Sequence, residues 1–156
     1  MSGGQTGVDR VALDIAIELQ VGHGGWCPCG RRAEDGVIDA RYQLVETESK
    51  NYAIRTRKNI EDSDGTLVFS GLPLVGGTQL TVKLAKEMGR PVKVIFIAEK
   101  EVDQESTVEE TIAWIVKNKI RILNVAGPRS SSNPDLPMVI RPVLESVFSL
   151  ARNLRD

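Results

Sequence analysis

The residues best suited to chemistry lie in three glycine-containing segments, each of which runs towards a predicted helix. Loop 1 is residues 2–10 (SGGQTGVDR), loop 2 is residues 73–78 (PLVGGT) and loop 3 is residues 126–133 (AGPRSSSN). Glycines before a helix leave out the side chains that would keep a phosphate away from the unpaired N–H groups and the positive end of the helix dipole. The three loops therefore predict an anion or nucleotide-phosphate site. For any single loop, a connecting turn with no ligand is the alternative.

The loops also supply side chains that could hold a phosphate. Thr6 adds a hydroxyl donor, while Gln5 either contacts a ligand or caps the turn, and Arg10 either binds an anion or pairs with a surface acid. Arg129 is the strongest single candidate because it follows directly after a predicted strand, with the Ser130 hydroxyl beside it. The predicted ligand-binding residues are Gly3, Gly4, Gln5, Thr6, Gly7, Arg10, Arg31, Arg32, Gly76, Gly77, Thr78, Gly127, Arg129 and Ser130.

A charge cluster and a pair of cysteines lie in the longest stretch without a regular pattern. Arg31 and Arg32 are either solvated or form a fork around a phosphate or molybdate. Cys27 and Cys29 do not by themselves complete a zinc site, although His23 could add a third ligand. They are either ordinary loop cysteines or soft sulfur ligands of a molybdenum-type centre, so no metal ion is assigned. With a single histidine in the chain, a Ser-His-Asp triad would have to use that residue.

Composition narrows the class of protein. The 156 residues, 41% hydrophobic and 26% charged, fit one globular domain over residues 1–156. A net charge of −1 argues against a nucleic-acid partner, and the 4% aromatic content argues against base stacking. There is no apolar run of membrane-spanning length, and the two cysteines are too close together to staple a fold. We therefore expect a cytoplasmic protein without a membrane partner.

The elements that must position the loops alternate between helix and strand. Strands are predicted at residues 21–26, 65–70, 92–97 and 120–125, and residues 65–70 form a continuous β-prone run typical of a buried strand. Helical spacing predicts a helix from Val8 with Asp9 on its wet side, a polar helix over residues 49–63, and a helix after loop 2 that ends at Gly89. This alternation predicts a parallel sheet with helices on both faces, whose loops meet at the carboxyl ends of the strands.

The remaining elements are less regular. Ser106 and Glu109 form a capping box that predicts the start of the fourth helix. A last helix is expected with Pro134 in its first turn and Ile140, Val143, Val147, Leu150 and Leu154 facing inward, and Pro142 should kink it or delay its start. Residues 27–49 are expected to form a long irregular loop.

Only Met1 and Ser2 precede the first glycines, although a phosphate loop of this kind normally follows a strand. That strand is therefore expected to be a stub, or to lie in residues ahead of Met1. In the second case loop 1 would be looser than the other two, and the site would depend mainly on loops 2 and 3.

Six segments together give a resemblance to a known family. They are residues 2–10 (SGGQTGVDR), 24–28 (GGWCP), 30–36 (GRRAEDG), 62–67 (DSDGTL), 76–78 (GGT) and 124–129 (NVAGPR). Together they resemble the putative molybdenum carrier family, a circularly permuted branch of the Rossmann-like superfamily that contains the LOG-type, lysine-decarboxylase-like proteins. The resemblance implies an α/β fold, a Rossmann-like three-layer sandwich with a mainly parallel sheet. It also implies a pocket for a phosphorylated, nucleotide-like ligand such as molybdopterin or a nucleotide, and a homo-oligomer.

The chain departs from the LOG-type hydrolases at one informative position. Their second glycine loop is followed by a glutamate that takes part in nucleotide cleavage, whereas residues 76–81 (GGTQLT) contain no carboxylate. This departure favours a carrier or binding protein over an enzyme. Two alternatives remain: a nucleotide-processing hydrolase that uses Glu34 or Asp35, and a nucleotide sensor whose long loop is the switch.

Overall fold

The computed structural model describes residues 1–98 and 102–153, which form five helices and seven strands. In chain order these are α1 (Val8–Glu18), β1 (Gly25–Cys27), β2 (Arg32–Ala33), β3 (Gly36–Val37), β4 (Leu44–Glu46), α2 (Tyr52–Glu61), β5 (Gly65–Ser70), α3 (Gly76–Glu87), β6 (Val92–Phe96), α4 (Gln104–Lys117), β7 (Leu123–Ala126) and α5 (Leu136–Asn153).

The central strands are parallel. Strand β5 lies between β6 and β7, and all six of its residues are buried, as its continuous β-prone run predicts. Strands β1 and β4 form a second parallel pair. Strands β2 and β3 form a short antiparallel hairpin whose turn is Glu34 and Asp35.

Met1 and Ser2 lie between these two parallel groups and form hydrogen bonds to both. The Met1 amino group donates to the carbonyl of Leu123, and the Val125 N–H donates to the carbonyl of Met1 at 2.9 Å. On the other side, the Ser2 N–H donates to the carbonyl of Gly24 at 3.0 Å. Loop 1 is therefore anchored to strand β7 and to the segment that leads into β1.

Helices cover both faces of the β6–β5–β7 sheet, as predicted. Helices α1, α4 and α5 bury one large apolar cluster, which includes Val8, Phe69 and Ile140. Helices α2 and α3 bury a smaller cluster of Ile60, Leu84 and Ala85 on the other face. These layers confirm the predicted Rossmann-like α/β sandwich.

The predicted capping box is wrong. Helix α4 begins at Gln104, and the Asp103 side chain accepts a hydrogen bond from the Ser106 N–H at 3.1 Å. Asp103 is thus the cap, and Ser106 already lies inside the first turn. Aspartate and serine are both favoured at this position, and the hydrogen bond decides between them.

The start of the last helix also differs from the prediction. Helix α5 begins at Leu136, so Pro134 precedes it, and it continues through Pro142 without a delayed start. Ile140, Val143 and Val147 are fully buried and hold the helix to the sheet despite the hydrogen bond that proline removes. Leu150 is 47% exposed rather than inward, and Leu154 lies outside the described residues.

Residues 27–49 are more ordered than expected. They contain the β2–β3 hairpin and β4, and they pack Ile38, Tyr42 and Leu44 against Leu13 and Cys27 in a third apolar cluster. Two predicted strands are shorter and later than expected: residues 21–26 correspond to β1 and residues 120–125 to β7.

Candidate functional site

Loops 1 and 3 pack directly against each other beyond the end of strand β7. A Cβ atom on Gly7 would lie 2.4 Å from the Pro128 carbonyl oxygen, and one on Gly127 would lie 2.5 Å from Cγ2 of Val8. The Val8 N–H donates to the Pro128 carbonyl at 3.3 Å. The two glycines allow this contact, so at these positions they serve chain packing.

The turn of the β2–β3 hairpin places a carboxylate between the two loops. Glu34 accepts hydrogen bonds from the Thr6 hydroxyl and from both the N–H (3.1 Å) and the hydroxyl of Ser131. The Arg129 Nε atom lies 3.9 Å from its Oε2. The Ser131 and Thr6 hydroxyls lower the pKa of the Glu34 carboxyl. An ionised carboxylate therefore occupies a cluster of donors that the sequence suggested for a phosphate.

Gln5 and Thr6 connect loop 1 to the hairpin and to loop 3. The Gln5 Oε1 atom accepts the N–H groups of Thr6 (3.0 Å) and Glu34 (2.9 Å), so Gln5 acts as a cap, one of its two predicted roles. The Thr6 hydroxyl accepts the Ser130 N–H at 3.1 Å. Both side chains hold the protein's own backbone in this structure.

Arg10 reaches the second residue of the hairpin turn. Its Nη1 atom lies 2.6 Å from Oδ2 of Asp35, and Nη2 donates to the Gly4 carbonyl at 3.0 Å. The hydrogen bond from Arg10 lowers the pKa of the Asp35 carboxyl. Of the two predicted roles of Arg10, the structure shows pairing with an acid.

Asp9 is buried, which corrects its prediction as a solvent-facing residue. It is 3% exposed, and its Oδ2 atom accepts Nη1 of Arg55 at 3.0 Å and the Gln5 N–H at 3.3 Å. Burial raises the pKa of the Asp9 carboxyl, and Arg55 opposes that shift. The ion pair repays part of the desolvation that burial imposes on both groups.

Arg55 is a site residue that sequence reasoning missed. Its Nε atom is buried and has no hydrogen-bond partner, and its Nη1 fills the position that a Cβ on Gly3 would take. Only its place among several cations on helix α2 was visible in the sequence. A narrow cleft of about 10 Å³, the room of one water molecule, is lined by Gly3, Asp9, Arg55, Thr56, Asn59, Thr81, Asn124, Val125 and Ala126.

Neither helix α1 nor helix α3 begins with a side-chain cap, but the start of α3 is open, whereas the start of α1 packs against loop 3. The N-cap residue of α3 is Val75, and Gly76 adopts a φ of 55°. A Cβ atom on Gly76 or Gly77 would meet nothing within 4 Å, and Thr78 next to them is buried. The first N–H groups of a helix have no partner inside it, so this end of α3 is open to an anion.

Arg31 binds backbone carbonyls of the segment that follows the β2–β3 hairpin. Its guanidinium donates to the carbonyls of Ile38, Leu44, Asp39 and Tyr42 at 2.9–3.1 Å. This geometry does not favour the phosphate contact predicted for Arg31. Arg32 is exposed on strand β2.

The described residues contain no group of three or more histidine, cysteine or acidic side chains that could hold a metal ion. Cys27 is buried and Cys29 partly so, both as free thiols. Across the same residues, the helices are too short or too polar to cross a membrane.

The fold and the loops define the class: a parallel α/β sandwich with glycine loops beyond its strand ends. The chain belongs to the circularly permutated YpsA SLOG family, whose sequence model matches residues 1–148. It is similar to the crystal structure of a "putative molybdenum carrier protein" from Syntrophus aciditrophicus SB, with 40% identity and a TM-score of 0.87. That match covers 94% of this chain and 91% of the other. No curated protein matches the chain.

Proposed function

We propose that the protein is a carrier that binds a phosphorylated, nucleotide-like ligand, of which molybdopterin and purine nucleotides are the leading candidates. The similar protein from Syntrophus aciditrophicus SB carries the name of a molybdenum carrier, and this supports a pterin ligand. A Rossmann-like fold with glycine loops at the strand ends supports a phosphate-bearing ligand in general.

The observation that carries the proposal is the uncapped start of helix α3. Gly76 and Gly77 leave open space where side chains would stand, and Val75 provides no side-chain cap. Helix α1 also has no side-chain cap, but its start is covered by loop 3, since the Val8 N–H donates to the Pro128 carbonyl at 3.3 Å and a Cβ on Gly7 would lie 2.4 Å from the same oxygen. We therefore place the ligand phosphate at residues 76–78 and the rest of the ligand over the cleft beside Arg55.

The hydrolase alternative is less favoured by the state of its two carboxylates. Glu34 and Asp35 both have lowered pKa values and hold hydrogen bonds from Ser131, Thr6 and Arg10. A general base works best when its pKa lies near the working pH, and these hydrogen bonds move the pKa of both carboxyls away from it. We expect no free base to be released when purine monophosphates are incubated with the protein.

We extend the proposal to the setting of the protein. Free thiols at Cys27 and Cys29 suit a reducing cytoplasm.

We also propose that the protein forms a homo-oligomer. Sedimentation at several protein concentrations tests it, and a monomer at all of them contradicts it.

Replacing Gly77 with aspartate tests the phosphate position. The new carboxylate favours the helix dipole, so the helix is retained, but it repels a phosphate at the same N–H groups. We expect the Gly77→Asp variant to bind adenosine monophosphate, guanosine monophosphate or molybdopterin at least about tenfold more weakly, a loss of about 1.4 kcal/mol. Isothermal titration calorimetry measures the affinity, and the rise in melting temperature with ligand gives an independent check.

The matched control is Gly22→Asp. Gly22 also has open space at its Cβ position, but it follows helix α1 and lies outside all three loops. The Gly22→Asp variant should bind the same ligands with wild-type affinity. Equal binding by the wild type and Gly77→Asp would remove α3 from the site. The absence of binding by all three ligands to the wild type would contradict the carrier itself.

A further inference from the structure

We propose that loops 1 and 3 form a second binding site, for a tetrahedral oxyanion, and that the carboxylate of Glu34 is its internal occupant. The oxyanion is either free in solution or the phosphate group of a larger ligand. It displaces Glu34 from the donors and takes its place. Its residues are different from those at the start of helix α3, and it does not depend on the carrier proposal.

The donor set is one that recognises anions. It consists of the Thr6 hydroxyl, the N–H and hydroxyl of Ser131, and the Arg129 guanidinium. These groups come from two loops that Gly7 brings into contact. A cation, a backbone N–H and two hydroxyls around one point bind a carboxylate oxygen and a phosphate oxygen by the same hydrogen bonds.

Glu34 does not satisfy the whole set. The Arg129 Nε atom lies 3.9 Å from Oε2 of Glu34, whereas a charge-assisted hydrogen bond to a carboxylate is about 2.7–2.9 Å long. The Arg129 side chain is also 48% exposed. A carboxylate has two oxygens and a tetrahedral oxyanion has four, so an oxyanion can keep the contacts to Thr6 and Ser131 and still reach Arg129.

The Glu34 side chain can leave without unfolding the hairpin. The Glu34 N–H remains bonded to Oε1 of Gln5 at 2.9 Å, and Asp35 remains paired with Arg10 at 2.6 Å. The next residues of the hairpin, Gly36 and Val37, are exposed. Displacement therefore needs a change of side-chain rotamer, with the freed carboxylate moving into water.

The expected gain in oxyanion affinity depends on how often the Glu34 carboxylate occupies the donors, as it does in this structure. If the side chain exchanges between this bound form and a displaced form, the displaced form is populated at roughly 10% or less. The apparent affinity of an oxyanion is reduced by that fraction, so deletion of the competing carboxylate should restore about tenfold or more.

The test compares Glu34→Ala and Glu34→Gln with the wild type. Inorganic phosphate, molybdate and adenosine monophosphate are titrated at constant ionic strength, and the Ser131 amide is followed by NMR. We expect both variants to bind phosphate or molybdate at least about tenfold more tightly than the wild type. Glu48→Ala is the matched control, because it removes the same charge from an exposed residue outside the hairpin.

A second substitution tests where the anion binds. Adding Arg129→Ala to Glu34→Ala should abolish the gain, whereas adding Gly77→Asp should leave it intact. An unchanged affinity in both Glu34 variants overturns the proposal, and so does a gain that survives the loss of Arg129. A gain for adenosine monophosphate as well as phosphate assigns the site to a ligand's phosphate group. A gain for the inorganic ions alone assigns it to free oxyanions.

The two proposals fail separately. If Gly77→Asp weakens nucleotide or pterin binding while Glu34→Ala gains no affinity for oxyanions, the carrier stands and the second site is wrong. If Glu34→Ala gains affinity while nucleotides and molybdopterin do not bind, the second site stands and the carrier is wrong.

Discussion

Replacing Arg55 with methionine tests whether a buried ion pair holds loop 1 against helix α2. Asp9 is 3% exposed, and its partner Arg55 keeps only 14% of its side chain accessible, with 3.0 Å between Nη1 and Oδ2. Methionine retains the apolar part of the arginine side chain but removes the charge and its hydrogen bond. Asp9 is then buried with the N–H groups of Gly3 and Gln5 as its remaining donors.

The expected cost can be bracketed. Removing one partner of a buried ion pair destabilises a protein by about 3–5 kcal/mol. The lower end applies here, because the backbone donors remain and Asp9 is able to take up a proton. At about 2–4 °C per kcal/mol for a protein of this size, a loss of about 3 kcal/mol lowers the melting temperature by about 6–12 °C.

The cost should also depend on pH. Burial raises the pKa of Asp9, and the charge of Arg55 works against that shift, so the pKa rises further when Arg55 is removed. The loss of stability is therefore largest where Asp9 is ionised and shrinks as the pH falls and the carboxyl takes up its proton.

Urea unfolding followed by circular dichroism at pH 7 and pH 5 measures these effects. The set comprises the wild type, Arg55→Met, Asp9→Asn and the double variant. We expect the double variant to lose less unfolding free energy than the two single variants lose together. Arg41→Met is the control, because Arg41 is 3.0 Å from Asp14 but 60% exposed, and it should cost less than about 1 kcal/mol. Equal costs for Arg55→Met and Arg41→Met, or a cost independent of pH, would refute the reasoning.

Two further predictions concern loop 1 and the hairpin. Gly7 has a φ of 82°, and its Cβ position lies 2.4 Å from the Pro128 oxygen, so Gly7→Ala should lower the free energy of unfolding by about 2 kcal/mol or more. Gly22→Ala is its control in urea unfolding, and equal stabilities would contradict the packing role. Glu34 has a pKa below its ordinary 4.5, so it stabilises the fold above pH 4.5 and loses this effect as the pH falls through its folded value. The difference in unfolding free energy between the wild type and Glu34→Gln should therefore shrink between pH 5 and pH 3, and a constant difference would contradict it.

The sequence was most informative where burial follows a local period. Helix α1 and strands β5 and β6 were predicted to within a residue or two, because a helical apolar face or a fully buried run shows in the sequence itself. The β2–β3 hairpin has strands of two residues, too short for any such pattern. The start of α4 depended on which of two good capping residues forms the hydrogen bond, and local sequence does not decide this.

The candidate site was predicted in part. The sequence identified loops 1 and 3 and named Glu34 among the alternatives, but spacing along the chain does not reveal that this carboxylate lies against Ser131, 97 residues away. The pairing of Asp9 with Arg55 spans 46 residues and was missed for the same reason. Such pairings depend on which elements pack together. The prediction that Asp9, an acidic residue near a helix start, faces solvent is therefore wrong.

The junction at Met1 and Ser2 has a consequence for how the molecule opens. On one side lie β7, β5 and β6 over the large apolar cluster, and on the other lie β1 and β4 over a separate cluster around Tyr42. Helix α1 contributes to both clusters, but the cluster around Tyr42 is much the smaller, and a region with few buried apolar contacts opens at a lower free energy. Amide hydrogen exchange should therefore be faster in the β1–β4 unit than in β5. Loop 1 lies on the boundary, held by loop 3 on one side and the hairpin on the other. An anion bound between loops 1 and 3 would connect the two units, so amide hydrogen exchange should slow in both when the anion binds.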